Sequence, residues 1–576
     1  MTDTTVAPTT PPAVPAGPPA SDDFELDPRR WIALLSVLTA VFMVLLDISI
    51  VNVAIPSIRS NLSATNADIQ FVIAGYGLAY ALVLITGGRL GDIYGRKRLF
   101  MIGMAGFVVA SALCGLAQSA VMLDISRVVQ GVMAALMFPQ ALSVIQVTFP
   151  PRERARAFGI LGAIIGVATI TGPLVGGVII RDDIMGSAWR WIFLVNLPIG
   201  LVSLFVAARV VKESKAPHTS GLDVVGVVIA SLGLFLLVFP LVEGQDAGWP
   251  IWTFICMGLS PVVLALFVVY ERSLPATRFP LVQLSLFRIP SFRIGVMISA
   301  LFLAGVPAFF FTFSLVLQIG LGFSALHAGL TTVPWSLGAA VASGLSVRLG
   351  PRFGKWTISV GAAMLALGVL GVILTLDARG ADVSSFDLIP SFLVAGLGLG
   401  TVVAPLLNII LAGVPGRDAG SASGVLTTFQ QLGGAVGVAV VGVVFFSLLN
   451  SHANTVATGV TSQLSAQLSA AGQSSQQVNA EVAQFTQCFD KRASSSDPTQ
   501  PVPGCTLSAS GNTASLNPVS RAFVSAAKLA LARDFVTTVQ ETLYINVGLW
   551  SATAILATLL PRRKAEAGLP AAAAAH

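Results

Sequence analysis

The sequence predicts an all-α integral membrane protein, in which two six-helix bundles are separated by two extra transmembrane helices. Three observations predict this fold class. The 576 residues are 55% hydrophobic and only 10% charged, with a mean hydropathy of +0.83, whereas soluble domains carry about 25% charged residues. Apolar runs long enough to span a bilayer occur fourteen times. Features of the first half recur in the second at a shift of about 260 residues.

The fourteen apolar runs predict helices, because lipid offers no hydrogen-bond partners and only helices or closed barrels satisfy their own backbone. A run of about 20 residues suits a helix that crosses the hydrocarbon core. The runs centre on residues 31–56, 69–88, 99–118, 121–147, 157–180, 190–210, 222–242, 250–270, 294–318, 326–347, 356–376, 386–412, 421–449 and 540–560.

The distribution of Lys and Arg predicts that both termini lie in the cytoplasm. With that orientation the inward loops carry clusters such as Arg96 to Arg98 and Arg562 to Lys564, whereas the short outward loops hold only Arg59, Arg181, Arg190 and Arg379. This asymmetry follows the positive-inside rule, and it requires an even number of helices in a multi-pass protein of the cell membrane. The net charge of +6 does not indicate nucleic acid as a partner, since the bases form no continuous face.

Composition divides the chain into seven segments. We expect a disordered cytoplasmic tail (1–28), an N-terminal six-helix bundle (29–212), two extra transmembrane helices (213–275), five helices of a C-terminal bundle (276–449), an extracytoplasmic loop (450–535), the last transmembrane helix (536–562) and a second cytoplasmic tail (563–576). The tail at the N-terminus is not a signal peptide, because no basic region precedes a short apolar core.

The predicted loop 450–535 is rich in Ser, Gln, Ala and Thr and has room for short helices. It contains Cys488 and Cys505, which are the only two of the four cysteines expected to meet. An extracytoplasmic position favours a disulfide between them, although two free thiols remain an alternative. No Cys or His spacing suits a metal, so no metal site is predicted.

The repeat is clearest in a basic cluster that occurs twice. "GGRLGDIYGRKRLF" begins at Gly87, and "VRLGPRFGKW" begins at Val347, with Pro351 in the place of Asp92. "PPRERARAFG" (150–159) likewise corresponds to "PGRDAGSASG" (415–424). Two helical halves repeated in parallel are typical of secondary transporters, whose substrates bind where the halves meet.

Five motifs resemble one family. "GGRLGDIYGRKR" resembles the cytoplasmic signature of the major facilitator superfamily. The others are similar to motifs of its fourteen-helix drug:proton antiporters: "LDISIVNVAIP" (46–56), "SRVVQGVMAALMFP" (126–139), "GVATITGPLVGG" (166–177) and "WRWIFLVNLPIG" (189–200). The resemblance covers residues 30–450 and 535–561.

The resemblance implies a monomer in membrane lipid that exports small lipophilic compounds, drugs or metabolites, in exchange for protons. Such a protein is no enzyme and takes no cofactor, and the chain has no phosphate-binding loop that would indicate ATP as the energy source. Two alternatives remain open. One is a proton-coupled importer on the same fold, since only the fifth-helix motif favours export; the other is a membrane sensor or scaffold that transports nothing.

Asp47 is the first candidate for proton coupling. It follows about sixteen residues after the start of the first apolar run, at a depth where a carboxylate costs about 2.5–3.5 kcal/mol. Removal from water favours the neutral form of a carboxyl group, so such a group suits the binding and release of a proton. The alternative is a structural carboxylate held by Asn52 or by a neighbouring helix.

Arg127 is the second candidate, because an intramembrane Arg must face the bundle interior and find a partner. Its candidate acids are Asp47 and Asp124, and the family resemblance gives this Arg a role in proton transfer. The alternative is that the guanidinium extends to the outer headgroups. Phe392 occupies the corresponding position of the second half, so proton coupling is placed in the N-terminal half.

Two further motifs are predicted to serve conformational change. The first motif is the basic cluster of Gly88, Asp92, Gly95, Arg96, Lys97 and Arg98. Asp92 could cap the start of a helix or pair with an Arg of the same turn, so the cluster is predicted to be a conformational latch on the cytoplasmic side. The alternative is that it only anchors the topology. The second motif is expected to kink its helix at the proline and to permit close helix packing; it comprises Gly166, Gly172, Pro173, Gly176 and Gly177.

A substrate pocket is predicted mainly in the C-terminal half. Aromatic walls with few polar groups suit a lipophilic ligand and can bind cations through π contacts. The candidates are Asn52, Tyr76, Phe309, Phe310, Phe313, Gln318, Trp335, Asn408, Gln430 and Gln431. The alternative for each aromatic residue is ordinary packing or contact with lipid.

Overall fold

The computed structural model describes residues 27–64, 66–182, 188–216, 221–244, 247–274, 280–493 and 517–561. Its regular secondary structure over these ranges is helical. The two predicted tails lie outside the described residues, apart from positions 27 and 28.

The N-terminal half consists of seven helices that make six spans. They are α1 (Arg30–Leu62), α2 (Asn66–Tyr94), α3 (Arg96–Gly115), α4 (Ala120–Thr148), α5 (Pro151–Asp182), and a last span formed by α6 (Trp191–Leu194) and α7 (Asn196–Val210). The two extra helices follow as α8 (Val224–Glu243) and α9 (Ile251–Ser273).

The C-terminal half begins with α10 (Pro290–Leu315), which ends in a π-helical turn at Val316–Gly320. It continues with α11 (Ala325–Thr331) and α12 (Val333–Phe353), which form one span, and then α13 (Lys355–Arg379), α14 (Ser385–Ala412), α15 (Ala419–Ala470), α16 (Ser475–Ala493) and α17 (Pro518–Ala557).

Each of the fourteen predicted apolar runs lies largely within helices. By length and composition, twelve helical segments of the described chain qualify as membrane spans. The remaining two runs lie in α5 and α17, each of which exceeds thirty residues. Together they give the architecture of two six-span halves with two extra helices between them.

Several helices begin where a polar side chain binds the free backbone N–H groups of the first turn. Ser119 accepts a hydrogen bond from the amide of Met122 at the start of α4. Asp223 accepts one from the amide of Gly226 at the start of α8. Gly95 precedes α3 with φ of 109°, a conformation that favours glycine.

The internal repeat is visible in the packing of equivalent helices. A Cβ at Gly131 in α4 would overlap the backbone carbonyl of Tyr76 in α2. A Cβ at Gly396 in α14 would overlap the carbonyl of Trp335 in α12. The two glycines occupy corresponding positions of the repeat, and so do Tyr76 and Trp335. The helix pairs α2/α4 and α12/α14 therefore approach each other through the same glycine contact.

The boundary predicted at residue 449 is wrong as a helix end. α15 continues for 52 residues, about 78 Å at 1.5 Å per residue, which exceeds the hydrocarbon core of about 30 Å. α17 starts at Pro518 rather than near 536, and α16 lies between them. Most of the predicted loop 450–535 is thus helical, and its residues 494–516 lie outside the described part of the chain.

The physical reason is an apolar stripe that the polar composition of this segment conceals. Buried residues recur every three or four positions along the outer part of α15: Leu449, Ala453, Ala457, Val460, Leu464 and Leu468. α17 buries Ala522, Ala526 and Ala530 at the same kind of spacing. Such a stripe stabilises a helix by packing against a neighbour, whatever the composition of its other faces.

Candidate functional site

Asp47 and Arg127 meet inside the N-terminal half. Nη1 of Arg127 lies 2.5 Å from Oδ2 of Asp47, and the two side chains are 2% and 0% exposed. Nε of Arg127 also donates to the carbonyl of Val72 in α2, at 3.0 Å. The pair joins α1, α2 and α4 and turns away from lipid, as expected for a membrane-buried ion pair.

Three amide and hydroxyl side chains complete the surroundings of the carboxylate. Gln130 donates to Asp47 at 2.9 Å and accepts from Arg127 at 2.7 Å. Gln130 also donates to Ser111 of α3 at 2.7 Å, and Asn196 of α7 donates to Asp47 at 3.3 Å. Each Asp47 oxygen therefore has a donor, which is the condition for holding an ionised carboxylate away from water.

These additional partners are missing from the sequence-based prediction. Gln130 follows Arg127 by one helical turn, so the i, i+3 spacing of polar residues was the available signal. Ser111 and Asn196 are far away in the sequence. Packing of α7 brings Asn196 to the carboxylate, and packing of α3 brings Ser111 to Gln130 and Asn196.

Tyr76 lies against Arg127 in the N-terminal half, apart from the other aromatic residues predicted for the pocket. The guanidinium carbon of Arg127 lies 4.2 Å from the centre of the Tyr76 ring and 5.7 Å from that of Phe193. Both contacts fall within the range of cation–π attraction. The arginine is thus held by a carboxylate on one side and by aromatic faces on others.

Asp124 and Asn52 were also predicted to lie near Asp47 and Arg127. Asp124 is half-buried near the start of α4. The described hydrogen bonds of Arg127 go to Asp47, Gln130 and Val72 instead. Asp124 is therefore not the partner of Arg127. The side chain of Asn52 lies outside the described residues.

Asp92 connects the two halves. Its carboxylate accepts hydrogen bonds from the backbone amides of Gly420 (3.0 Å) and Ser421 (2.8 Å) at the start of α15. Arg96 donates both to Asp92 (2.6 Å) and to the carbonyl of Gly416 (2.7 Å). The carboxylate thus caps a helix of the opposite half and pairs with an Arg one turn away, which are the two contacts that the sequence predicted.

Gly88 permits this contact, because a Cβ there would overlap the carbonyl of Gly420. Around it, Ser143 of α4 donates to the carbonyl of Ala419 at 3.2 Å, and Gln146 donates to the carbonyl of Leu411 at 2.6 Å. We call the contact formed by Gly88, Asp92, Arg96, Gly416, Gly420 and Ser421 the latch.

Gly95, Lys97 and Arg98 do not belong to the latch, which corrects the prediction. The amides of Lys97 and Arg98 donate to the carboxylate of Glu213, at 3.0 and 3.2 Å. A Cβ at Gly95 would collide with the same carboxylate, 2.5 Å from its oxygen. Glu213 caps α3 within the N-terminal half, so these three residues fix a local turn.

The predicted packing motif in α5 makes contacts of two kinds. Gly166 faces Ser336 and Ala339 of α12, and Gly177 faces Leu326 of α11, so both lie between the halves. A Cβ at Gly172 would overlap the hydroxyl of Ser49 in α1, within one half. Gly176 is buried. α5 runs without a break through Pro173, whose side chain lies outside the described residues.

The aromatic residues predicted for the substrate pocket form a packed core. Phe309 stacks on Trp335 with ring centres 4.8 Å apart and on Phe313 at 5.4 Å, and Phe310 meets Trp335 at 5.2 Å. Phe309, Phe313 and Trp335 are 0–1% exposed. Phe392 and Trp550 close the cluster. This arrangement favours the alternative interpretation, ordinary packing, for this cluster.

The polar residues predicted for the pocket are dispersed. Gln430 donates to Ser299 of α10 at 2.8 Å, and Gln431 is half-buried beside it. Gln318 is exposed and bonds within its own helix to Ser314. Asn408 lines a separate cavity between α12 and α14. The structure thus does not bring these residues to one site.

The predicted disulfide falls partly outside the described chain. Cys488 near the end of α16 is 6% exposed and is disulfide-bonded. Cys505 lies outside the described residues, so their pairing stays a prediction. The described residues contain no group of His, Cys, Asp and Glu that could hold a metal ion.

The two repeated helical halves belong to a known type of membrane protein. The sequence pattern of the Major Facilitator Superfamily matches residues 37–438. The chain belongs to this superfamily. Drug efflux transporters of this superfamily are driven by ion gradients and need no cofactor, so the chain is a membrane transporter without a cofactor and not an enzyme.

Three relatives in the superfamily come from Streptomyces. The probable actinorhodin transporter of Streptomyces coelicolor is 40% identical over 93% of both chains. The tetracenomycin C resistance and export protein of Streptomyces glaucescens is 35% identical over 73% of this chain and 76% of its own. The puromycin resistance protein pur8 of Streptomyces alboniger is 33% identical, with coverages of 76% and 83%.

Solved structures of the superfamily share the fold. The human organic anion transporter MFSD10 superposes with a TM-score of 0.54 at 15% identity, over 73% of this chain and 94% of its own. The proton:xylose symporter XylE gives a TM-score of 0.52 at 14% identity, over 71% and 87%. At these identities the likeness concerns the fold alone.

Proposed function

We propose that this transporter exports lipophilic compounds, drugs or metabolites, from the cell in exchange for protons. The observation that carries the proposal is the buried ion pair of Asp47 and Arg127. Gln130 and Asn196 donate to its carboxylate, and the Val72 carbonyl accepts from its guanidinium. It supplies a titratable group inside one half of a rocking-bundle fold. The direction and the class of compound are supported by one relative that is named for resistance and export and by another that is named for puromycin resistance.

The exchange of a proton would change the charge of this pair. When Asp47 is ionised, the charge of Arg127 is matched at 2.5 Å. When Asp47 takes a proton, the pair loses that attraction and Arg127 is left as a buried cation, which is costly. Protonation therefore favours a rearrangement in which Arg127 gains other partners.

Helix α2 provides a path from this pair to the latch. Its Val72 carbonyl binds Arg127, and its Asp92 caps α15 in the other half. Twenty residues separate the two positions in the sequence, which is about 30 Å along one rigid helix. A change at Arg127 would thus be transmitted by movement of α2 to the contact that holds the halves together.

We further propose that both termini and the latch lie on the cytoplasmic side, and that the protein works as a monomer in membrane lipid. Basic clusters at the latch end of the helices support this orientation through the positive-inside rule. The latched arrangement then corresponds to a state whose cytoplasmic side is closed.

Transport in proteoliposomes tests the proposal. Tetracenomycin C and puromycin serve as trial substrates, an imposed proton gradient supplies the energy, and an internal pH dye reports proton movement. We expect substrate uptake to be accompanied by opposite proton movement. Asp47→Asn should abolish both, because the amide keeps the shape of the side chain but cannot take up a proton.

Asp382→Asn is the matched control, since Asp382 is an exposed acid in the turn between α13 and α14. It should leave both fluxes unchanged. Coupled fluxes of normal size in Asp47→Asn would show that this carboxylate does not carry the proton. Substrate uptake that ignores the gradient in the unaltered protein would refute proton coupling as such.

A further inference from the structure

A cavity of about 310 Å³ lies at the latch end of the C-terminal half. Its walls come mainly from α12 and α14, Lys355 contributes from the start of α13, and Ala155 of α5 contributes from the N-terminal half. The polar lining groups include Ser346, Lys355 and Asn408, and apolar residues such as Pro405 and Ile409 supply the rest. Its volume lies at the lower end of the range for small-molecule sites.

The repeat relates one side of the cavity to the latch. A shift of 259 residues places Gly350 and Lys355 on Gly91 and Arg96. At this shift Pro351 takes the place of Asp92. The second copy therefore has the base of the latch but lacks its carboxylate.

The other side of the cavity corresponds to the partner helix of the latch. A shift of 265 residues places Ala155 in α5 on Gly420 in α15, whose amide donates to Asp92. Ala155 and Lys355 both line the cavity. The first copy has a carboxylate between the equivalent elements, whereas the second copy has an open space.

The charges around this space favour an anion. Lys355 donates to the backbone carbonyl of Thr558, and an ammonium group carries two further protons for other acceptors. No carboxylate of the described chain lies within 4.0 Å of this ammonium group, and none of the described lining residues is acidic. Arg96, by contrast, is neutralised by Asp92.

Asn408 adds a second recognition element. Its side chain lines the cavity and is half-buried. An amide group both donates and accepts hydrogen bonds, so Asn408 can bind a hydroxyl group of a molecule in the cavity. The apolar walls then suit the hydrocarbon part of the same molecule.

We propose that this cavity binds an amphipathic organic anion, whose acidic group pairs with Lys355 and whose hydroxyl group binds Asn408. A bound anion takes the place that Asp92 fills in the first copy and bridges α13 to α5. We assign it as the first docking site of the exported compound on the cytoplasmic side. This last assignment rests on the proposed direction of transport, whereas the binding itself does not.

Binding of two matched probes tests the proposal. The protein is placed in phosphatidylcholine nanodiscs and titrated with 3-hydroxy-2-naphthoate and with its uncharged amide, 3-hydroxy-2-naphthamide. We expect the anion to bind about tenfold more tightly, since a hydrogen bond to a charged group contributes that much. Lys355→Gln should remove this difference and Lys355→Arg should keep it.

Arg352→Gln is the matched control. Arg352 is an exposed base three residues before Lys355 and does not line the cavity. It should leave both affinities unchanged. The probe without a hydroxyl group, 2-naphthoate, should bind several-fold more weakly than the hydroxynaphthoate, and Asn408→Ala should erase that difference.

Three results would overturn parts of the proposal. Equal affinities for anion and amide, or an unchanged preference in Lys355→Gln with a normal melting temperature, would refute the anion site. Loss of naphthoate binding when phosphatidylglycerol is added to the nanodiscs would identify a lipid headgroup as the occupant and refute the docking role.

The naphthoate-binding experiment and the transport experiment can fail independently of each other. Asp47→Asn should abolish coupled transport but leave naphthoate binding intact, because Asp47 lies in the other half. If the unaltered protein binds the anion through Lys355 but does not export it, the docking role falls and the binding site stands.

Discussion

The carboxylate of Asp92 in α2 lies 2.8 Å from the backbone amide of Ser421 in α15. This contact joins the two halves through residues that lie 329 positions apart in the sequence. It combines the capping of a helix start with a charge, which favours the first turn of α15 through the helix dipole. Both partners are buried, so solvent screens the interaction little.

Substitution of Asp92 by Asn should weaken the latch. The amide keeps one acceptor but loses the ion pair with Arg96 and the charge at the start of α15. We expect transport to fall at least tenfold. A cysteine placed at Ser423, which is buried between the halves, should react faster with an impermeant maleimide in inside-out vesicles.

Glu213→Gln is the control for the latch, because Glu213 caps α3 within one half and touches no residue of the other among its described bonds. It should leave the labelling rate at Ser423→Cys unchanged. Identical labelling rates in the Asp92 variant and in the unaltered protein would contradict a latch function.

Arg127→Lys should impair coupling although it keeps the positive charge. Nη1 of Arg127 donates to Asp47 and Gln130, and Nε donates to the Val72 carbonyl. A single ammonium cannot reproduce this planar set of donors. We expect at least a tenfold loss of substrate-driven proton flux with little change in melting temperature. Arg348→Lys, at an exposed base, is the control and should behave normally.

Substitution of either repeated glycine should destabilise the fold. A Cβ at Gly131 or at Gly396 would overlap a backbone carbonyl of the neighbouring helix. Overpacking of this kind costs about 1–3 kcal/mol, so Gly131→Ala and Gly396→Ala should each lower the melting temperature in detergent. Gly258→Ala, where a Cβ meets nothing within 4 Å, should leave it unchanged; equal melting of all three would refute the close packing.

Phe309→Ala should reduce stability without changing substrate preference. Phe309 is completely buried and stacks on Trp335, and truncation of such a residue costs about 3–5 kcal/mol. We expect a lower melting temperature and a uniform loss of transport for tetracenomycin C and puromycin. Phe386→Ala, at an 81% exposed ring, is the control. A selective loss of one substrate would restore the pocket interpretation.

The pair of Arg30 and Glu153 predicts a small pH dependence of stability. Arg30 donates two hydrogen bonds to Glu153, at 2.7 and 2.9 Å, and these bonds lower the pKa of this carboxyl below 4.5. A lowered pKa stabilises the folded state above pH 4.5, and this contribution disappears as the pH falls through the lower folded value. Glu153→Gln should therefore lower the melting temperature slightly at pH 7 and have less effect near pH 3.5.

The sequence by itself determined the fourteen helices and the repeat, because spans of about 20 apolar residues and positively charged inner loops are local properties of the chain. It also singled out Asp47, Arg127 and Asp92, since charges are so rare in this chain that each one needs a partner. The i, i+4 spacing of Asp92 and Arg96 also predicts that these two residues form a pair.

Only the tertiary structure decided which partners these charges find. No Lys or Arg of α1 lies one helical turn from Asp47. Its pairing with Arg127 therefore depends on how α1, α2 and α4 pack. The same is true of Asn196 and Ser111, and of the amides of α15 that Asp92 caps. The aromatic residues near Phe309 have the composition of either a pocket or a core, and only packing around Trp335 distinguishes the two. The predicted end of a helix at residue 449 was wrong, because burial against α17 rather than composition stabilises the rest of α15.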